Sequence, residues 1–221
     1  MSTLKIEIWS DIACPWCWVG KRGLDRAVEQ FESNVSVRWR AFELNPQAPL
    51  GGPGPVDYAQ RLADKYGTGR DEAQQMIDRM TATGRERGLD IRFDRVRPTN
   101  TFDAHRLLAW AADSGKQTAL KEELFNAYLH EGRLISDQDV LVNLAEKAGL
   151  DGEQASGILL GDEWSNEVRA DEQMARQIGI SGVPCFVFPQ VRRGLSGAQP
   201  VNVLLGAMNQ AQAEVARPAS G

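Results

Sequence analysis

The stretch Ser10–Gly20, SDIACPWCWVG, sets Cys14 and Cys17 two residues apart, with Pro15 and Trp16 between them. The chain has 221 residues and three cysteines, the third being Cys185. A pair spaced in this way serves as half of a zinc site, as a disulfide staple, or as a reactive dithiol. A closed zinc site takes four Cys or His ligands. Only His105 and His130 are on offer, and neither belongs to a second paired motif, so no metal site is expected. A disulfide across so short a loop removes little entropy from the unfolded chain. A redox-active pair is the leading reading.

Outward from the motif the pattern resolves into elements. TLKIEIW, from Thr3, alternates and is rich in β-branched and aromatic residues, so it reads as a strand that delivers the cysteine loop. A helix is expected from Pro15 to about Phe31. Proline suits its first turn, where the missing N–H would have no partner anyway. VSVRWRAFEL, Val35–Leu44, alternates again, with Val35, Val37, Trp39 and Ala41 on one face. A β-α-β unit of parallel strands with a right-handed crossover follows.

Asn45–Pro55, NPQAPLGGPGP, is a breaker-rich connection. Helices are expected beyond it over Asp57–Tyr66 and Arg70–Arg87. Another follows Thr101 as cap, and another is striped by Leu120, Leu124, Ala127 and Tyr128. Ser136 and Asp139 stand at capping-box spacing before a helix that Gly149 stops, and a last helix runs from about Glu163 to Gln177. Strand signals return at Val183–Phe188 and near Leu195, before a helix over Val201–Val215 and a tail, from Ala216, expected to fray. The fold class is therefore α/β. Residues 1–50 and 179–221 join as one discontinuous domain around a small mixed sheet, and 51–178 form an all-helical insertion that caps it.

Composition bounds the function. Charged residues make up 25%, apolar ones 42%, and the net charge is −5. Neither nucleic acid nor an anionic membrane surface is invited as a partner, and no apolar run is long enough to span a bilayer. The N-terminus has no basic stretch followed by an apolar one, so a cytoplasmic location is expected. Structural disulfides are rare there.

The chain resembles the DsbA superfamily of thioredoxin-fold proteins, and within it the FrnE-like branch. The matching residues are CPWC at the end of the first strand, GISGVPCFVF opening the third, SGAQP before the last helix, and RPTNTFDAHRLLAWA and LFNAYLHEG in the helical block. Cys185, directly after Pro184, departs from the large apolar residue usual in that branch. The resemblance implies a thioredoxin fold, β-α-β then β-β-α, with a large helical insertion. It also implies thiol–disulfide oxidoreductase or isomerase activity on protein or peptide disulfides, or with small thiols such as glutathione, and no bound cofactor.

Roles follow residue by residue. Cys14 at a helix N-terminus is the expected nucleophile, because unpaired N–H groups there favour a thiolate. Cys17, one turn inside, is the expected resolving thiol. Pro15 stiffens the turn, and Trp16 offers an exposed ring to a substrate. The resemblance implies a cis bond at Pro184, with the Val183 backbone gripping an extended substrate; a trans proline opening an ordinary strand is the alternative. Glu7 is either a buried acid below Cys17 that takes its proton or a solvated strand-end glutamate. His105 either holds an anionic substrate group near the thiolate or is a packed core histidine. Asp11 is expected to hold the loop by a local backbone bond. Cys185 is expected to be a buried bystander; a local switch in which it caps Cys14 is the alternative. The competing function is a glutathione-dependent isomerase or transferase of the 2-hydroxychromene-2-carboxylate isomerase or kappa-class type; those usually carry a serine at the first motif position and need no resolving cysteine. A non-catalytic binding module is the third.

Overall fold

Hydrophobic alternation at the N-terminus becomes the buried centre of the sheet. In the computed structural model, which describes residues 3–52, 54 and 56–216, the first strand is β1, Leu4–Ser10. It is followed by α1, Pro15–Glu29, and β2, Val35–Ala41. The helical block comprises α2 (Tyr58–Tyr66), α3 (Arg70–Glu86), α4 (Phe102–Ala111) and α5 (Gln117–Asn126), with a π-helical turn over Ala127–Glu131. It continues through α6 (Gln138–Lys147), α7 (Gly152–Leu160) and α8 (Ser165–Gln177). Strands β3 (Cys185–Phe188) and β4 (Arg193–Ser196) and helix α9 (Val201–Val215) complete the fold. The last five residues of the tail expected to fray lie outside the described residues.

The sheet order is β2-β1-β3-β4, with β1 and β2 parallel and the other two pairings antiparallel. This is the thioredoxin arrangement. Leu4, Ile6 and Ile8 of β1 are wholly buried against Leu24 and Ala27 of α1 and Leu204 and Met208 of α9. Each such aliphatic side chain contributes about 1.5–3 kcal/mol by leaving water. Trp9 takes the other face, packs on Ala175 of α8, and donates from Nε1 to the Asp171 carbonyl at 2.9 Å. Helices therefore cover both faces.

The edge strand β2 is protected by side chains from the helical block. The Gln117 amide accepts from Trp39 N–H at 2.8 Å and donates to the Trp39 carbonyl at 2.9 Å, as a neighbouring strand would. Asp171 accepts from Ala41 N–H at 3.0 Å. An open edge is thereby closed to pairing with other chains. The core of the block is continuous with α1: Ile12, Cys17, Trp18 and Val19 pack with Leu107, Leu120, Leu124 and Phe125. Glu122 of α5 fastens this seam, accepting from Trp18 Nε1 at 3.0 Å and pairing with Lys21 at 2.9 Å.

Several local expectations are revised. Helix α7 has a short apolar face (Ala155, Ile158, Leu159) between two glycines, too weak a periodicity to read, yet Asp151 caps it by accepting from Gln154 N–H at 2.8 Å. At α6 the cap is Asp137, accepting from Asp139 N–H at 2.9 Å. Ser136 instead bonds Thr99 across the block at 2.5 Å. The Thr101 side chain makes no cap bond on α4; the neighbouring Asn100 accepts from Phe102 N–H at 2.8 Å. Strand β2 ends at Ala41 because Leu44 N–H turns away to Asp11, 2.7 Å distant.

Candidate active site

The dithiol sits where α1 leaves the sheet. Cys14 is the residue that precedes the first helical turn, with Pro15 at its start. Its N–H donates to the Asp11 carbonyl at 3.2 Å, and its carbonyl accepts from Cys17 N–H at 3.0 Å, which shapes the turn. The Cys14 side chain is 5% exposed and Cys17 is fully buried. All three cysteines are free thiols. The Val183–Pro184 bond is cis, and the Cys14 thiol donates to the Val183 carbonyl at 3.6 Å. The motif and the proline loop are thus brought together across 169 residues of chain.

Gly20, two turns into α1, makes this approach possible. A Cβ there would stand 3.0 Å from Pro184 Cγ and 3.3 Å from the Phe186 ring. With any larger residue the proline loop or the Phe186 ring must give way by a few tenths of an ångström.

The two thiols are electrostatically unlike. Cys14 is held below the ordinary thiol range, first by the hydrogen bond from Cys17 and further by the Cys17 and Trp16 N–H groups, which together outweigh burial and the Asp11 charge. Cys17 is pushed well above that range, first by burial and then by Cys14. One sulfur therefore ionises readily while its neighbour keeps a proton to donate to it.

A groove of about 1160 Å³ opens beside Cys14. Pro15 and Trp16 line one side, and Tyr58, Leu62 and Arg61 of the helical block line the other. Trp16 is 38% exposed, a large ring left in the mouth of the groove. Val183 borders a second cavity of about 800 Å³ instead, together with Cys185 and Trp9. Cys185 is buried, its sulfur 3.9 Å from Ser196 Oγ, and burial raises its pKa.

The placement of Glu7 corrects its expected position below Cys17. The pleat turns Ile6 and Ile8 toward α1, so Glu7 falls on the α8 face with Trp9. There it pairs with Arg40 at 2.6 Å, and Arg40 also pairs with Asp171 at 2.9 Å. Glu7 is thus a half-buried member of an ion-pair network, away from the dithiol. His105 is likewise corrected as a substrate contact. It is 2% exposed and lines neither cavity, and its Nε2 lies 3.4 Å from Asp11 Oδ1 behind the cysteine loop. Burial first, and then the Lys121 charge, push its pKa down against the pull of Asp11.

Asp11 holds the loop as expected, accepting from Ala13 N–H at 3.3 Å, and it reaches further to Leu44 N–H. Burial alone would raise its pKa, but His105, the Leu44 N–H and Lys121 outweigh that and leave it low. Lys121 was not read from the sequence. It is wholly buried on α5, with its Nζ 5.6 Å from the Trp39 ring centre and 5.0 Å from that of Phe125. Burial lowers its pKa to about 8. The available signal was a charge within an apolar stripe: Gln117, Lys121, Leu124 and Phe125 share one face at helical spacing.

Comparison with known proteins agrees with this geometry. The family model for the DSBA-like thioredoxin domain matches residues 5–209. The probable DsbA oxidoreductase of Streptomyces coelicolor is 38% identical and superposes with a TM-score of 0.89, over 99% of this chain and 93% of that one. The fold is shared at lower identity by a 2-hydroxychromene-2-carboxylate isomerase, 13% identical with a TM-score of 0.68 over 97% of this chain and 100% of that one. It is also shared by the cytosolic disulfide reductase DsbM of Pseudomonas aeruginosa, solved with GSH, 17% identical with a TM-score of 0.62 over 96% and 97% of the two chains. With its dithiol at the start of α1 and a cis proline facing it, this chain belongs to the DsbA-like thioredoxin-domain family.

Proposed function

We propose that the protein is a thiol–disulfide oxidoreductase of the FrnE-like kind, with Cys14 as nucleophile and Cys17 as resolving thiol. The observation that carries this reading is the asymmetry of the pair: Cys14 ionises readily at the groove mouth, and Cys17 is buried and protonated behind it. The Cys14 thiolate attacks a substrate disulfide and forms a mixed disulfide. Cys17 then attacks the Cys14 sulfur, closing the internal disulfide and releasing the substrate as a thiol. Trp16 and Pro15 meet the substrate at the groove. The Val183 carbonyl, freed when Cys14 loses its proton, is available to an extended chain. The helical block, 51–178, serves as the cap.

Protein or peptide disulfides and small thiols such as glutathione fit this site, and the likeness to a cytosolic reductase solved with GSH supports both that partner and a cytoplasmic setting. No helix among the described residues is long and apolar enough to cross a membrane. Cys17→Ser should accumulate mixed disulfides with glutathionylated peptide or insulin, and Cys14→Ser should accumulate none. Equal trapping by the two variants overturns the assignment. A Cys14→Ser, Cys17→Ser double variant that still catalysed a glutathione-dependent isomerisation would replace it with the isomerase reading.

A further inference from the structure

Lys121 is a charged group that the exchange chemistry described above does not use. Its side chain is wholly buried, and among the described residues its Nζ has no hydrogen-bond partner. An ammonium out of water without a partner is costly. The Trp39 and Phe125 rings, with centres 5.6 and 5.0 Å from its Nζ, recover part of that. A methionine or leucine would fill the same slot in the core at no such cost. Phe125, over whose ring the ammonium lies, belongs to the same buried core as Cys17 and Cys14, and the groups whose ionised forms attract Lys121 are Cys17, Asp11 and Cys14. His105 of α4 is the other titratable group that feels its charge.

We propose that Lys121 is a positioning residue for the resolving step: its buried ammonium is the positive charge against which Cys17 ionises. The proposal rests on the dithiol reading. During resolution Cys14 is already bonded to the substrate sulfur and carries no charge, so the anion that must form behind it is that of Cys17. Burial opposes that anion, and the Ser10 hydroxyl and then the Lys121 charge favour it. Cys17 is wholly buried, with no water to stabilise its anion, whereas Cys14 lines the open groove, so the Lys121 charge weighs on the second step. The Cys17 electron pair forms the new bond to the Cys14 sulfur, and the old S–S pair leaves with the substrate sulfur, where the Cys17 proton ends. The dithiol is oxidised by two electrons, the substrate disulfide is reduced by two, and Lys121 keeps its proton throughout.

The test uses the full chain and an aromatic disulfide, 5,5′-dithiobis(2-nitrobenzoate). It releases one coloured thiolate when Cys14 attacks and a second when Cys17 resolves. In Lys121→Met the first release should keep its rate within about twofold, while the second slows about tenfold or more, the equivalent of one pKa unit. The midpoint of its pH profile should move upward. Wild-type rate and profile in the second phase would overturn the proposal, and a wild-type chain that gave no second release would overturn the dithiol reading with it. If Lys121→Met does not fold, nitrogen NMR of the lysine ammonium groups in the wild-type chain decides. Lys121 should hold its proton to higher pH in the dithiol form than in the disulfide form, and identical titrations in the two forms overturn the proposal.

Discussion

Cys14 and Cys185 flank the same proline loop, each beside a cavity, yet they are chemically opposite. Cys14 stands at the start of α1, where backbone N–H groups and the Cys17 thiol converge on its sulfur and hold its pKa down. Cys185 lies in β3, packed with Trp9 and Ala175, where burial raises its pKa and the Ser196 hydroxyl lies 3.9 Å from its sulfur. Strand backbone directs its N–H groups sideways into the ladder, whereas a helix start leaves its first N–H groups without partners. Two cysteines of similar exposure thus have pKa values shifted in opposite directions, one beside Cys17 and the helix-start N–H groups and the other packed in a strand.

The largest expected effect breaks this contrast outright. Cys14→Ser should lower disulfide exchange by about a thousandfold or more, roughly 4 kcal/mol of barrier, while Cys185→Ala should stay within about twofold of the native rate. A comparable loss in both, measured with a glutathionylated peptide, would make Cys185 part of the chemistry.

Alkylation by iodoacetamide as a function of pH sharpens the same comparison. The Cys14 rate should reach half its plateau below the ordinary thiol value of 9.0, because the folded site favours the thiolate. Cys185 should label slowly in the native protein and rapidly only in denaturant. Peptide mapping that found Cys185 labelled first would reverse the argument.

Gly20→Ala tests the closeness of the two halves of the site. Its new Cβ meets Pro184 and Phe186 at 3.0 and 3.3 Å, an overpacking that costs about 1–3 kcal/mol. Denaturant unfolding should show that loss, with slower exchange as the proline loop is displaced from Cys14. Native stability and rate together would mean that the loop yields freely.

The smallest effect lies in the scaffold behind the α8 face. Glu43 has a buried carboxyl that pairs with Arg169 at 2.6 Å, while Arg169 also pairs with Glu172 at 2.8 Å. Burial first, and then the neighbouring Glu172, raise Glu43 from 4.5 to about 6 despite Arg169. The folded carboxyl therefore holds its proton more tightly than the unfolded one, so its contribution to stability is full below pH 4.5 and declines as pH rises through about 6. In Glu43→Gln this decline should vanish from thermal unfolding midpoints followed across that window, with exchange activity unchanged. A slope equal to that of the native protein removes Glu43 as its source.

Much of this site was legible in residue order because its parts are local. A proline after Cys14 and a strand before it fix the helix start, which sets the Cys17 thiol and the Cys17 and Trp16 N–H groups around the Cys14 sulfur. Asp11 needs only two residues of chain to reach Ala13 N–H. The Val-Pro pair at Val183 could be assigned only through its resemblance to a family, since nothing local ties it to a cysteine 169 positions away.

By itself the sequence determined the strands, the dithiol and the order of the helices other than α7, because alternation, helical spacing and breakers act over a few residues. Strand alternation places Lys5, Glu7 and Trp9 on one face of β1, but does not say which helix that face meets. Tertiary packing turned Ile6 and Ile8 toward α1 and sent Glu7 to Arg40. The same packing drew His105 under the loop against Asp11 and buried Lys121 between Trp39 and Phe125, where the thiols and Asp11 feel its charge. Charge placement of this kind depends on which faces meet across distant segments, and that is decided only when the helical block closes over the start of α1.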